Sequence, residues 1–160
     1  MKSLEPIFGG INLEDISVPR CFRVLETLKR EMPIPVFHDD QHGTAVVTLA
    51  AMINALKIVE KKFNAIKVVV DGAGAGGIAT TKLLMKAGVR DVILCETHGA
   101  IYEGRSENIN EYKKEIALLT NRSKVKGSLA EAMRGADVFM GLSVAEQVSQ
   151  EMVKSMAKDP

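Results

Sequence analysis

Apolar positions recur along this chain at two spacings, and short β-branched runs alternate with longer stretches at helical spacing. Ser17 stands before Val18 and Pro19, which predicts a helix with Ser17 as N-cap, Pro19 in its first turn and an apolar face of Phe22, Leu25 and Leu28. Pro33 and Pro35 end that helix near Glu31. Residues 34–37 read as a short strand, and residues 44–60, rich in Ala, Leu, Met and Ile, as a long helix. Being apolar on most sides, this helix is expected to be largely buried. The run at 66–70 has the β-branched character of a buried parallel strand, and 78–87 is helical, closed by Gly88. Residues 91–96 and 136–141 supply two further strands, with helices expected at 110–119, 129–134 and 145–156. Strand, helix, strand, helix, strand is the order of a doubly wound parallel sheet, so the fold class is α/β. Composition shifts near 63–65, which divides the chain into a first segment, 1–62, and a nucleotide-binding segment, 63–160.

The second segment opens on "VVVDGAGAGGIA", with Gly72, Gly74 and Gly77 at the G-x-G-x-x-G spacing directly after a strand and before a helix. This is the context in which the glycines, with Ala73 and Ala75 between them, form a Rossmann-like pyrophosphate loop. The first glycine permits the turn, the second the approach of a phosphate to the backbone, and the third close packing of helix on strand. The helix N-terminus adds unpaired N–H groups and a positive dipole end. Glu96 ends the next strand, at the distance of about 20 residues where a carboxylate accepts from a ribose 2′-hydroxyl, which favours NAD over NADP. The following His98 and Arg105 suit a 2′-phosphate and keep NADP open. A plain tight turn with a strand-capping Glu96 is the simpler alternative.

Two acidic pairs lie in the first segment: Glu14 and Asp15 in "GGINLEDI", and Asp39 and Asp40 in "FHDDQHG". Neighbours on a regular strand point to opposite faces, so each pair belongs at a strand end or turn if its oxygens are to converge. Converging carboxylates demand a cation, and oxygen donors suit Mg²⁺ or Mn²⁺ better than zinc. Taken separately, each pair also fits a solvated surface. His38 and His42 flank the second pair at a spacing that would suit a zinc helix, but Asp39, Asp40 and Gly43 favour a strand-to-helix turn.

Composition narrows the partners. Hydrophobic residues make up 46% of the 160 positions, enough for a sizeable core, and the net charge of +1 carries no footprint of nucleic-acid binding, so a small molecule is the expected partner. The apolar stretch at 45–53 is broken by Thr48 and falls short of the roughly 18 residues of a membrane span. Glu5 and Pro6 interrupt what would be the apolar part of a signal peptide, and Cys21 and Cys95 form no CxxC pair. A cytoplasmic protein with no membrane association is therefore expected.

In combination, "SLEPIFGGINLEDI", "IPVFHDDQHGTAVV", "VVVDGAGAGGIA", "GADVFMGLS" and "EMVKSMAKDP" resemble the bacterial malic enzymes over nearly the whole chain. The resemblance implies Glu14, Asp15 and Asp40 as ligands of a divalent metal, Asp39 as a support for proton transfer, and Thr44 beside the cofactor. It also implies oxidative decarboxylation of (S)-malate to pyruvate and carbon dioxide with NAD or NADP, by an enzyme expected to form a homo-oligomer. The first segment would then be part of a smaller α/β catalytic segment preceding the Rossmann-like sheet. In the family a Tyr and a Lys upstream of the resembling stretch serve as general acid and base, and no motif of this chain matches them. Two other readings are a non-catalytic module derived from such an enzyme and a metal-independent dehydrogenase acting on amino acids.

Overall fold

Three consecutive valines, Val68, Val69 and Val70, are fully buried although their side chains alternate between the two faces of one strand. Both faces are therefore covered. The computed structural model describes residues 2–160. Its strands are β1 (Ile11–Leu13), β2 (Val36–His38), β3 (Lys67–Asp71), β4 (Asp91–Glu96), β5 (Gly99–Ala100) and β6 (Val138–Gly141). The α-helices are α1 (Arg20–Glu31), α2 (Thr44–Ile58), α3 (Ala75–Lys86), α4 (Glu111–Leu119), α5 (Leu129–Met133) and α6 (Gln150–Lys154). A four-stranded sheet runs in the order β5-β4-β3-β6, with β3 parallel to both β4 and β6. On one face Val68, Val70, Val92 and Leu94 pack with residues of α1 to α4, among them Met52, Ile78 and Ile116; on the other, Val69, Ile93 and Cys95 pack with Ala132 and Met133 of α5. After β4 the chain crosses back to the opposite side of β3, so the carboxyl ends of β3 and β6 form the switch point where such sheets bind ligands. A separate parallel pair, β1 and β2, packs with α1 through Leu13, Leu25 and Val36.

Several expectations are corrected. Ser17 does not cap α1 with its side chain: Pro19 occupies the N-cap position after a cis Val18–Pro19 bond, and Ser17 contributes its carbonyl to the Cys21 N–H at 3.0 Å. Helix α2 is not largely buried. Its inner side carries Ala45, Met52 and Leu56, while Val46 and Val47 are 56% and 65% exposed and Ile58 is 82% exposed. Helix α3 starts earlier than the apolar spacing predicts, because the glycine loop itself winds into the first turn, with the Ile78 N–H donating to the Gly74 carbonyl. The last helix is shorter than expected: Glu146 takes a positive φ of 62°, and Ser149 then caps α6 by accepting from the Met152 N–H. The two-residue β5, antiparallel to β4, has no β-branched residue to announce it. Gly88 closes α3 as expected, with φ of 111° and its N–H on the Met85 carbonyl.

Candidate functional site

The glycine loop is built by close contact. Gly72 leaves β3 at a φ of 122°, and its N–H donates to the Cys95 carbonyl at 2.9 Å. A Cβ at Gly77 would lie 1.7 Å from the Gly72 carbonyl oxygen, so only glycine lets α3 sit on the loop at this distance. Gly74 is different: nothing lies within 4 Å of its Cβ position, and no side chain caps the N–H groups that α3 presents there. Ala73 is buried and Ala75 half-buried, both packed against the core. Pro19, Gly72, Gly74, Glu96, Lys113 and Ser143 line a cleft of about 510 Å³ beside the loop. Asp71, at the end of β3, accepts from the hydroxyl of Ser143 in this lining at 2.8 Å.

Glu96 ends β4 in this cleft, but its carboxylate is already engaged. Arg105 donates to Oε1, while Asn108 and Lys113 donate to Oε2, the latter at 3.2 Å, and the side chain is 8% exposed. Burial pushes this carboxyl upward; Lys113 and Arg105 outweigh it and hold Glu96 below the usual carboxylate range. Two cations thus surround one carboxylate in this cleft. Of these partners the sequence points only to Arg105, as a residue suited to a 2′-phosphate, and not to Asn108 or Lys113. Both reach Glu96 from the loop and helix that follow β5, and no local pattern marks them.

The acidic pairs are brought together by strand register. β1 and β2 run parallel with Leu13 opposite His38, so Glu14 and Asp15 leave one strand beside Asp39 and Asp40 leaving the other. Asp15 takes a left-handed φ of 56°, which aims its N–H at Asp40 Oδ2, 3.0 Å away. Residues Asp39–Gly43 form one wide helical turn that runs straight into α2, so the stretch is helical where a plain turn is expected, while His38 stays on β2 and shares no helix with His42. Asp39 is exposed, with Oδ1 folded over Gly43. Glu14 is also exposed and accepts from Asn12 Nδ2 at 2.7 Å. Among the described residues no three His, Cys, Asp or Glu side chains are gathered as a metal cluster; the fold joins Asp15 to Asp40 and leaves Glu14 beside them on Asn12. The side chains at this turn offer oxygens, the donor type that suits a hard divalent cation.

This acidic turn lies against the glycine loop. A Cβ at Gly76 would meet Thr44 Cγ2 at 3.0 Å and the Asp40 carbonyl at 3.1 Å, so Thr44 and Asp40 rest directly on the first turn of α3. His42 is half-buried at the same turn, its Nε2 3.4 Å from Lys29 Nζ. Its Nδ1 accepts from the His38 N–H at 3.2 Å, and burial, then the charges of Lys29 and His38, lower its pKa.

Comparison with known proteins places the chain in a family. The family model described as "Malic enzyme, NAD binding domain" matches residues 41–160. The chain is 57% identical over 160 residues to the bifunctional malic/malolactic enzyme of Bacillus subtilis, covering all of this chain and 39% of that protein. It is 47% identical over 162 residues to the NADP-dependent malic enzyme of Haemophilus influenzae, again over the whole chain but 21% of the relative. The crystal structure of the NAD-dependent malic enzyme from Thermotoga maritima matches with a TM-score of 0.96 and 51% identity, over 99% of this chain and 42% of that one. The chain thus spans less than half the length of each of these relatives. A matched domain over most of its length, with relatives of that family along all of it, gives one conclusion: the chain belongs to the malic enzyme family.

Proposed function

We propose that the protein carrying this chain oxidatively decarboxylates (S)-malate to pyruvate and carbon dioxide, with NAD⁺ as hydride acceptor and Mg²⁺ or Mn²⁺ as cofactor. The observation that carries this reading is the packing of the acidic turn on the first turn of α3, which sets carboxylates beside a dinucleotide loop. Asp15 and Asp40, with Glu14 adjacent, are the residues to hold the cation, and Asp39 on the same turn supports proton transfer. Bound there, a divalent cation supplies Lewis-acid polarisation of the substrate's oxygens. The backbone of Gly72, Ala73, Gly74, Ala75 and Gly77 holds the pyrophosphate, and Thr44 stands beside it. Bound at this loop, NAD⁺ would supply the acceptor for the C2 hydride, while a base takes the 2-hydroxyl proton. The C3–C4 bond then breaks to release carbon dioxide, and C3 takes up a proton.

Glu96 serves the adenosine ribose, and the cations on either side of it leave the same site able to receive a 2′-phosphate, so NADP is the second acceptor. Two buried free thiols, Cys21 and Cys95, support a cytoplasmic setting. The apolar residues exposed on α2 support a homo-oligomer.

The test is the absorbance of reduced nicotinamide on mixing the full-length enzyme with (S)-malate, Mn²⁺ and NAD⁺, beside a metal-free reaction. A rise that needs metal, and that is abolished by Asp40→Asn, is expected. Unchanged turnover in Asp40→Asn rejects the metal assignment.

A further inference from the structure

His38 is the last residue of β2, two positions before Asp40, and its side chain is fully buried. Among the described residues neither of its ring nitrogens has a hydrogen-bond partner. Its backbone N–H is satisfied by His42, so the unmet demand lies in the imidazole alone. A buried polar ring without partners is unfavourable and calls for an explanation in its surroundings. Nδ1 stands 4.0 Å from Asp40 Oδ2, the same oxygen that accepts the Asp15 N–H. The Asp40 side chain is 38% exposed and sits on the turn leading out of the strand, whereas His38 is walled in by the fold. Closing the gap to the roughly 2.7–3.2 Å of an N–H to oxygen bond therefore falls to Asp40.

We propose that His38 is a positioning residue. Its Nδ1–H donates to Asp40 and, together with the Asp15 amide, sets the direction in which that carboxylate presents its free lone pairs to a divalent cation. The inference rests on the metal-site reading above and extends it to a residue that touches neither substrate nor cofactor. Its physical basis is that a carboxylate ligand held by hydrogen bonds is already oriented before the cation arrives. Nδ1 and Nε2 are not equivalent here, because the Nδ1–H tautomer satisfies the contact and the Nε2–H tautomer does not.

Two measurements test this. Mn²⁺ titration followed by electron paramagnetic resonance is expected to show weaker binding in His38→Leu, by about 10–100-fold. His38→Asn places an amide N–H where Nδ1 stood and is expected to restore most of the affinity. Equal affinity in His38→Leu and the unaltered protein overturns the proposal, as does a loss in His38→Asn as large as that in His38→Leu. Absence of Mn²⁺ binding in the unaltered protein instead overturns the metal site itself, and the role of His38 with it. The second measurement needs no variant and no metal: long-range ¹H–¹⁵N spectra of the imidazole are expected to report the Nδ1–H tautomer for His38. An Nε2–H tautomer overturns the contact whatever the metal affinity.

Discussion

Gly74 and Gly77 have the same side chain and answer to different constraints. At Gly77 a methyl group would collide with the Gly72 carbonyl, so Gly77→Ala must push α3 off the loop. A cost of about 1–3 kcal/mol in folding stability is expected, read from urea denaturation. At Gly74 there is open space, and φ of −90° suits any residue. Gly74→Ala is expected to change stability by less than about 1 kcal/mol while weakening NAD binding in a calorimetric titration, because the added methyl stands where a phosphate would approach. Similar losses of stability in the two variants would show that the loop is not shaped for a ligand at Gly74. His38 extends the same lesson: a buried side chain with no partner of its own is understood only through the neighbour it serves.

At the scale of elements, the connections between secondary structures are fastened by a few charged side chains. Lys61, just past α2, donates to Asp137 Oδ1 at 2.9 Å and to the carbonyls of Lys158 and Asp159 at 2.6 and 2.8 Å. Asp137 Oδ2 in turn accepts the Lys67 N–H at the start of β3. One lysine thus ties the end of α2, the approach to β6 and the last residues to each other. Lys61→Met keeps the aliphatic stem and removes the donor, leaving Asp137 partly buried and short of a partner. A loss of about 1–3 kcal/mol is expected by urea denaturation, with faster hydrogen exchange at the amides of β3 and β6. Unchanged exchange there would show that the strands hold without this fastening. Helix α5 uses a more local device, a capping box between Ser128 and Glu131, which offsets the short length of the helix.

For the whole molecule, stability depends on carboxylates that the fold holds ionised. Burial raises the pKa of both Glu96 and Asp137, but the Lys113 and Arg105 partners of the first, and the Lys61 and Lys67 partners of the second, leave each below its ordinary range. A folded-state pKa below the unfolded one contributes stability that is present above the unfolded value, near 4. That contribution is lost as pH falls through the folded value. The double variant Glu96→Gln, Asp137→Asn is therefore expected to be less stable than the unaltered protein at pH 7, with the gap narrowing toward pH 3 in urea midpoints. A gap independent of pH would show that the two carboxylates act by packing and not by charge. Helix α2 also leaves Val46, Val47 and Ile58 exposed to solvent, apolar area that the fold of this chain does not cover.

How much of this was legible in the sequence follows from the range of the forces involved. Helical spacing, β-branched runs and the glycine loop act between near neighbours, so β3, β4, α3 and α4 stand close to where the pattern predicts them. The cases that misled are those in which a distant element decides. Apolar residues on α2 announce burial, yet which of them meet the sheet depends on how α2 packs on α3. Glu96 reads from the sequence without its partners, and Arg105, Asn108 and Lys113 reach its oxygens only across intervening loop. The acidic pairs announce a cation, but only the parallel register of β1 and β2 brings Asp15 to Asp40 across 25 residues, and only the packing of that turn on Gly76 sets it beside the cofactor loop. The sequence by itself determined the elements, the α/β class and the kinds of chemistry present, because local sterics and hydrophobic periodicity are written along the chain. Tertiary structure decided which charges meet, which are already spent and which apolar face stays open, because side-chain partners are chosen by sheet register and helix packing.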